Sequence, residues 1–186
     1  MGVSVPQTIK PSPSFRQEVE EKSKEKVSAC FLCEKCTNGC PIVFAMDLVP
    51  HKLLRMINLG LRDEVLRSDT IWVCASCETC TTRCPSGIDI AHIMDSLRQI
   101  SQKSGIAASQ KNVPIFHDAF VSTIRTHGKM WEPGMILRYK LKSKEFTQDM
   151  KLGMDMFKKG KLKIIPSKLL ADSKVKEIFK QDKRSE

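Results

Sequence analysis

Two runs of residues, CFLCEKCTNGCP and CASCETCTTRCP, contain every cysteine of this 186-residue chain. Each run has the spacing C-x2-C-x2-C-x3-C and is followed at once by a proline, and the second run repeats the first after 44 residues. The cysteines are Cys30, Cys33, Cys36 and Cys40 in the first run and Cys74, Cys77, Cys80 and Cys84 in the second. Thiols crowded in this way could form disulfides, bind zinc or bind iron–sulfur clusters.

The spacing and context disfavour disulfides and zinc. Disulfides need an oxidising compartment, and the N-terminal stretch MGVSVPQTIKPSPSF lacks the apolar segment of a secretory signal. Cysteines two residues apart would also close strained loops. Zinc sites usually combine two close ligands with two distant ones, whereas each run offers three closely spaced cysteines and a fourth.

The same spacing is typical of bacterial ferredoxins with 4Fe-4S clusters, and its two copies predict two clusters. In that pattern the fourth cysteine of each run binds the cluster held by the other run. The predicted ligands are Cys30, Cys33, Cys36 and Cys84 for the first cluster, and Cys74, Cys77, Cys80 and Cys40 for the second. Pro41 and Pro85 fix the chain direction after the exchanged cysteines.

The segments that must position the cysteines have helical periodicity. The stretch IVFAMDLVPHKLLRMINLG predicts a helix that stops at Gly60, and LRDEVLRS predicts a second short helix. In SGIDIAHIMDSLRQISQKSG one face carries Ile90, Ile93, Met94, Leu97 and Ile100. Neither segment shows the alternation or the Asn-Gly turns of a β-hairpin. We therefore predict an all-α protein with an α-helical ferredoxin domain over residues 27–105.

Two flanking regions complete the predicted organisation. Residues 1–26 mix proline, serine and alternating charge, which predicts a flexible or partner-bound arm. Residues 106–186 are predicted to be a helical, basic extension, with a helix at Pro114–His127, another within 144–160, an extended run at 162–166 and a weak helix at 174–180. Residues 129–186 hold 16 of the 31 Lys and Arg against 8 of the 21 Asp and Glu, so most of the net charge of +10 lies there.

The remaining composition indicates a soluble protein. No run of about 18 apolar residues could span a membrane, so we expect a cytoplasmic location. The four histidines are scattered, and we expect them at the surface or in the core rather than as ligands. The basic extension could contact nucleic acid, an anionic membrane or an acidic partner, or it could simply be a solvated surface.

Several stretches resemble the iron–sulfur C subunit of heterodisulfide reductase. They are the paired cysteine runs, the lead-in Trp72-Val73-Cys74, the stretch CPSGIDI, HGKMWEPG at 127–134 and FKKGKLKIIP at 157–166. The resemblance covers roughly residues 25–180, and the last two stretches narrow it from the several families that share the cysteine runs.

The resemblance implies an electron-relay protein with two 4Fe-4S clusters. Its implied partners are the flavin-containing A subunit and the catalytic B subunit of heterodisulfide reductase. The latter reduces the mixed disulfide of coenzyme M and coenzyme B in methanogenesis. A hydrogenase or a formate dehydrogenase is a further candidate partner. We expect no catalytic residue on this chain, because it has no Cys-Cys pair, no G-x-G-x-x-G fingerprint and no nucleophile–base constellation.

Three other functions stay open at this point. One is the iron–sulfur subunit of a quinone-linked dehydrogenase, and another is a component of a sulfur-oxidising heterodisulfide reductase-like complex. The third is an iron–sulfur sensor that binds nucleic acid through the basic extension, although its lysines are not interleaved with aromatic residues.

Overall fold

The computed structural model describes residues 11–106, 108–144, 154–156, 158–159, 175 and 177–179. These described residues contain helices and turns and no β-strand, which confirms the all-α prediction. The helices are α1 (Pro13–Ser23), α2 (Lys35–Asn38), α3 (Pro50–Asn58), α4 (Arg62–Arg67), α5 (Thr70–Val73), α6 (Thr79–Arg83), α7 (Ile90–Lys103), α8 (Asn112–His127) and α9 (Glu132–Ser143). Single 3-10 turns lie at Val27–Ala29 and Val43–Ala45. Among the described helices, none combines the length and the apolar character needed to cross a bilayer.

The chain divides into two compact units, residues 1–110 and residues 111–186. The first unit holds α1 to α7 and both cysteine runs, and the second holds α8 and α9. The finer division predicted at residues 26/27 and 105/106 stays a prediction.

Helix α7 is the centre of the first unit. Its predicted apolar face is buried throughout, comprising Ile90, Ile93, Met94, Leu97 and Ile100. The helix packs against α1, α4, α5 and α6. Asp89 caps the helix, since its Oδ1 accepts a hydrogen bond from the backbone N–H of His92 at 2.9 Å. Each large aliphatic side chain buried in this way stabilises the fold by about 1.5–3 kcal/mol.

Helix α1 differs from the predicted flexible or partner-bound arm. Residues 13–23 form a regular helix whose Phe15 and Val19 are fully buried. The helix packs against α3 and α7, and Arg62 pairs with Glu18 at 3.3 Å. Only a narrow stripe is apolar in an otherwise charged segment, and overall composition does not register such a stripe. Residues 1–10 lie outside the described residues.

Helices α8 and α9 pack together in the second unit. The predicted helix at 114–127 is confirmed and begins two residues earlier, at Asn112. Its predicted apolar stripe is only partly buried, because Ala119 lies inside while Phe116 is 42% exposed against the ring of Tyr139. The predicted elements at 144–160, 162–166 and 174–180 fall largely outside the described residues.

Candidate metal centre

The two cysteine runs fold as copies of one motif. A short helical turn leads into each run, at Val27–Ala29 in the first copy and at α5 in the second. A one-turn helix follows the second cysteine of each run, as α2 and α6, and these two helices pack against each other. The spacing of 44 residues in the sequence is therefore a repeat of structure as well.

Each cysteine loop carries two residues in the left-handed backbone region. They are Leu32 and Glu34 in the first loop and Ser76 and Glu78 in the second, with φ between 50° and 62°. Non-glycine residues in this region are strained by about 1–2 kcal/mol each, and such strain is concentrated at ligand clamps. Alternation of left-handed with other conformations turns backbone N–H groups toward one concave side, as in many iron–sulfur loops. The sequence gives no sign of this geometry, because none of the four is glycine or asparagine.

The two loops also repeat the exposure of their cysteines. All eight are free thiols. The second cysteine of each run, Cys33 or Cys77, is exposed, whereas the third is buried at Cys36 and partly buried at Cys80. One thiol of each loop therefore faces outward while another lies against the protein interior.

Two cavities lie beside the loops, and each is lined by cysteines from both runs. The first cavity, with an empty volume of about 300 Å³, is lined by Cys30, Cys33, Cys36 and Cys84. The second cavity, of about 360 Å³, is lined by Cys74, Cys77, Cys80 and Cys40. In each case three cysteines come from one run and the fourth comes from the other. This is the grouping expected from the exchanged-ligand pattern.

Close contacts between the two copies bring the fourth cysteines across. Gly39 lies so near Arg83 that a Cβ placed on the glycine would come within 2.6 Å of the arginine Cδ. These two residues occupy equivalent positions, each directly before the fourth cysteine of its run. On the other side of Cys84, the Ser86 hydroxyl donates to the Ala29 carbonyl at 2.9 Å, next to the start of the first run.

The remaining walls of the two cavities differ in chemistry. The first is completed partly by Phe31, Leu32, His51, Leu54 and Ile90. The second is completed partly by Ile42, Met46, Pro50, Ala91 and Met94. Both cavities therefore have apolar walls, but of the two only the first has a histidine among its lining residues.

Side chains from the following helices hold the loops in place. In the first copy, His51 Nδ1 lies 2.8 Å from Thr37 Oγ1, and His51 Nε2 lies 3.6 Å from Glu34. In the second copy, Arg98 donates to the carbonyls of Ile71 and Cys74. Sequence reasoning does not find either residue, because His51 resembles any surface or core histidine and Arg98 belongs to no cysteine motif.

Burial makes two of the thiols hard to ionise in the absence of a cation. Burial raises the pKa of Cys36, and burial with the neighbouring Cys74 raises the pKa of Cys80 to about 11. The exposed Cys77 differs, because its hydrogen bond with Thr79 lowers its pKa. Since thiol ligands bind metal as thiolates, loading of these sites must release protons.

The donor set fits a 4Fe-4S cluster. Such a cluster has four irons, and each takes one thiolate, so four cysteines around one cavity supply the full set. In the described part of the chain, no three His, Cys, Asp or Glu side chains are placed to hold a single metal ion.

The chain shows similarity to proteins of one chemical type. Residues 26–88 match the family of 4Fe-4S dicluster domains. This match covers both cysteine runs and the helices between them.

Curated relatives carry the name that the sequence resemblance predicted. The CoB–CoM heterodisulfide reductase iron-sulfur C subunit of Methanopyrus kandleri is 33% identical over 114 residues, which cover 56% of this chain and 59% of that protein. A protein of the same name from Methanocaldococcus jannaschii, numbered 2, is 41% identical over 100 residues, or 50% and 53% of the two chains. The C subunit of the H2:CoB–CoM heterodisulfide,ferredoxin reductase of Methanothermobacter marburgensis is 29% identical over 94 residues, or 50% and 51%.

The chain thus spans between half and three fifths of the length of these relatives. The predicted resemblance is confirmed, and the relatives belong to an oxidoreductase.

Proposed function

We propose that this chain is the electron-relay iron–sulfur subunit of a heterodisulfide reductase complex. The observation that carries the proposal is the lining of two cavities, each by three cysteines of one run and one of the other. The similarity to iron-sulfur C subunits supports the assignment to this complex.

The proposed ligands follow the two cavities. Cys30, Cys33, Cys36 and Cys84 would hold one cluster, and Cys74, Cys77, Cys80 and Cys40 would hold the other. A bound 4Fe-4S cluster accepts and releases one electron at a time. The chain itself supplies thiolates, fixes their directions through the strained loops and keeps water away with the apolar walls around Met94 and Ile90.

The proposed partners are the other two components of the reductase. The flavin-containing A subunit would be the electron donor, and the catalytic B subunit would be the site of reduction of the coenzyme M–coenzyme B disulfide. An associated hydrogenase or formate dehydrogenase would complete the complex in the cytoplasm. This chain would contribute no catalytic residue.

Anaerobic reconstitution of the full chain tests the cofactor content. We expect about eight iron and eight sulfide per chain, because two cubanes on eight cysteines require that amount. About two equivalents of zinc without sulfide would contradict the proposal.

Anaerobic purification of the native complex tests the partners and the role. We expect flavin-containing and catalytic subunits of a heterodisulfide reductase to co-purify, and the complex to reduce the heterodisulfide with an artificial electron donor. The reconstituted chain alone should show no turnover. Turnover by the chain alone would contradict the relay role, and co-purification with a quinone-linked dehydrogenase would identify a different complex.

A further inference from the structure

Arg98 joins the central helix α7 to the second cysteine loop. Its Nε donates to the Ile71 carbonyl at 2.5 Å, and its Nη2 donates to the Cys74 carbonyl at 2.5 Å. Its Nη1 lies 3.3 Å from the hydroxyl of Ser76. Two of these three partners, Cys74 and Ser76, line the second cavity. The guanidinium therefore sits directly behind the wall of that cavity.

The first copy has no equivalent of this arginine. Subtracting the 44-residue repeat from position 98 gives Leu54, a buried residue that lines the first cavity. The sequence repeat thus holds an apolar side chain in one copy and a cation in the other. The acidic residues in the loops do not differ, because Glu34 and Glu78 are equivalent.

The charge of Arg98 is poorly screened by water. Its side chain is 12% exposed, and a guanidinium remains protonated at every accessible pH. Asp95 is an acidic neighbour at 4.0 Å, and its side chain is 52% exposed. At low exposure a unit charge acts on its neighbours far more strongly than it does in bulk water. Reduction adds one negative charge to a cluster, so a nearby cation favours the reduced form.

We propose that Arg98 is a positioning residue of the second cysteine loop and that its charge raises the reduction potential of the cluster held there. The two sites of the chain are then unequal, and electrons are biased toward the second site. This inference rests on the proposed ligand assignment. It concerns the potential of one cluster, whereas the proposed function concerns the presence of both.

The test is a redox titration of the anaerobically reconstituted full chain, followed by EPR. Arg98→Gln removes the charge and keeps an N–H donor for the loop, while Arg98→Lys keeps the charge and loses the fork. Arg67→Gln is the matched control, because it removes the same charge from an exposed position that lines neither cavity. Cys33→Ser and Cys77→Ser assign each EPR signal to its loop.

We expect Arg98→Gln to lower the midpoint potential of the second cluster alone, Arg98→Lys to stay near the wild-type value and Arg67→Gln to change neither cluster. Asp95→Asn tests the same charge without touching the loop contacts, and it should raise the second midpoint. Two intact clusters with an unchanged second midpoint in Arg98→Gln, or equal shifts of both clusters, would overturn the inference. If Arg98→Gln assembles no cluster, an unchanged midpoint in Asp95→Asn overturns it. Iron and sulfide contents below two clusters in the wild-type chain would instead count against the proposed function.

Discussion

Asp47 shows how one carboxylate can set the start of a cysteine loop from a distance. Its Oδ2 accepts from the N–H of Asp69 at 2.9 Å, and its Oδ1 accepts from the N–H of Thr70 at 3.0 Å. The Thr70 hydroxyl donates to the same oxygen at 2.7 Å. These groups form the N-terminus of α5, the turn that delivers Cys74, so Asp47 serves as a cap supplied from another part of the chain.

We predict that Asp47→Ala lowers the free energy of unfolding by roughly 1 kcal/mol at neutral pH, as loss of a helix cap does. Burial alone would raise the pKa of Asp47, but hydrogen bonds from Asp69, Thr70 and Leu48 outweigh it and lower the pKa below 3.8. A lowered pKa stabilises the fold above the unfolded value and loses that effect as the pH falls through the folded value. Urea unfolding followed by circular dichroism should therefore show a constant difference from about pH 8 to 5 that shrinks below about pH 4. A difference that grew toward low pH would contradict this role.

Single residues divide into those that sequence spacing can identify and those that it cannot. The eight cysteines are predictable because their type and spacing together define the chemistry. His51 and Arg98 are not, because each reaches its loop through the packing of a later helix. A comparison of the two copies would single out Arg98, since its repeat-equivalent is Leu54.

At the level of helices, the repeat explains most of the architecture around the site. Helical periodicity predicts α3, α4, α7 and α8, and each is present. The one-turn helices α2 and α6 are too short to produce a periodic pattern, and α1 buries only Phe15, Val19 and Ser23. These elements depend on tertiary packing, which is why sequence reasoning does not find them.

The end of α3 provides a prediction about packing. Gly60 has φ of +73°, and a Cβ there would lie 2.5 Å from the carbonyl oxygen of Ser12. Gly105, after α7, has φ of +65° with nothing within 4 Å of its Cβ position. We expect Gly105→Ala to destabilise the fold by about 1 kcal/mol through backbone strain alone. Gly60→Ala should cost about 2–4 kcal/mol, since the clash with the chain before α1 adds to the strain.

Urea unfolding of the two variants under identical anaerobic conditions measures this difference. Equal destabilisation would mean that Ser12 moves away freely and that α1 is not held at this point. A larger loss in Gly60→Ala would show that the segment predicted as an arm belongs to the first unit.

For the molecule as a whole, the distribution of charge decides between partner classes. Most of the net positive charge belongs to residues 129–186, within the second unit. Lysine-rich surfaces attract nucleic acid weakly through the phosphate backbone, and they also steer acidic proteins. We propose that the basic extension serves a protein partner.

We therefore predict weak, salt-sensitive binding to DNA. Fluorescence anisotropy with a labelled duplex should show affinity falling by at least about tenfold between roughly 50 and 200 mM salt, because counterion release dominates such contacts. Tight binding that persists at physiological salt would favour the nucleic-acid sensor instead.

The exchange of the fourth cysteines between the two runs is the central claim, and EPR of reconstituted single-cysteine variants tests it most directly. In Cys84→Ser, the cluster assigned to Cys30, Cys33 and Cys36 should lose an iron or change its signal, while the other keeps four thiolates. The signal lost in Cys84→Ser should therefore match the one lost in Cys33→Ser, and Cys40→Ser should match Cys77→Ser. A match between Cys84→Ser and Cys77→Ser would show that each run closes its own site, and the interlocked arrangement proposed for this chain would be wrong.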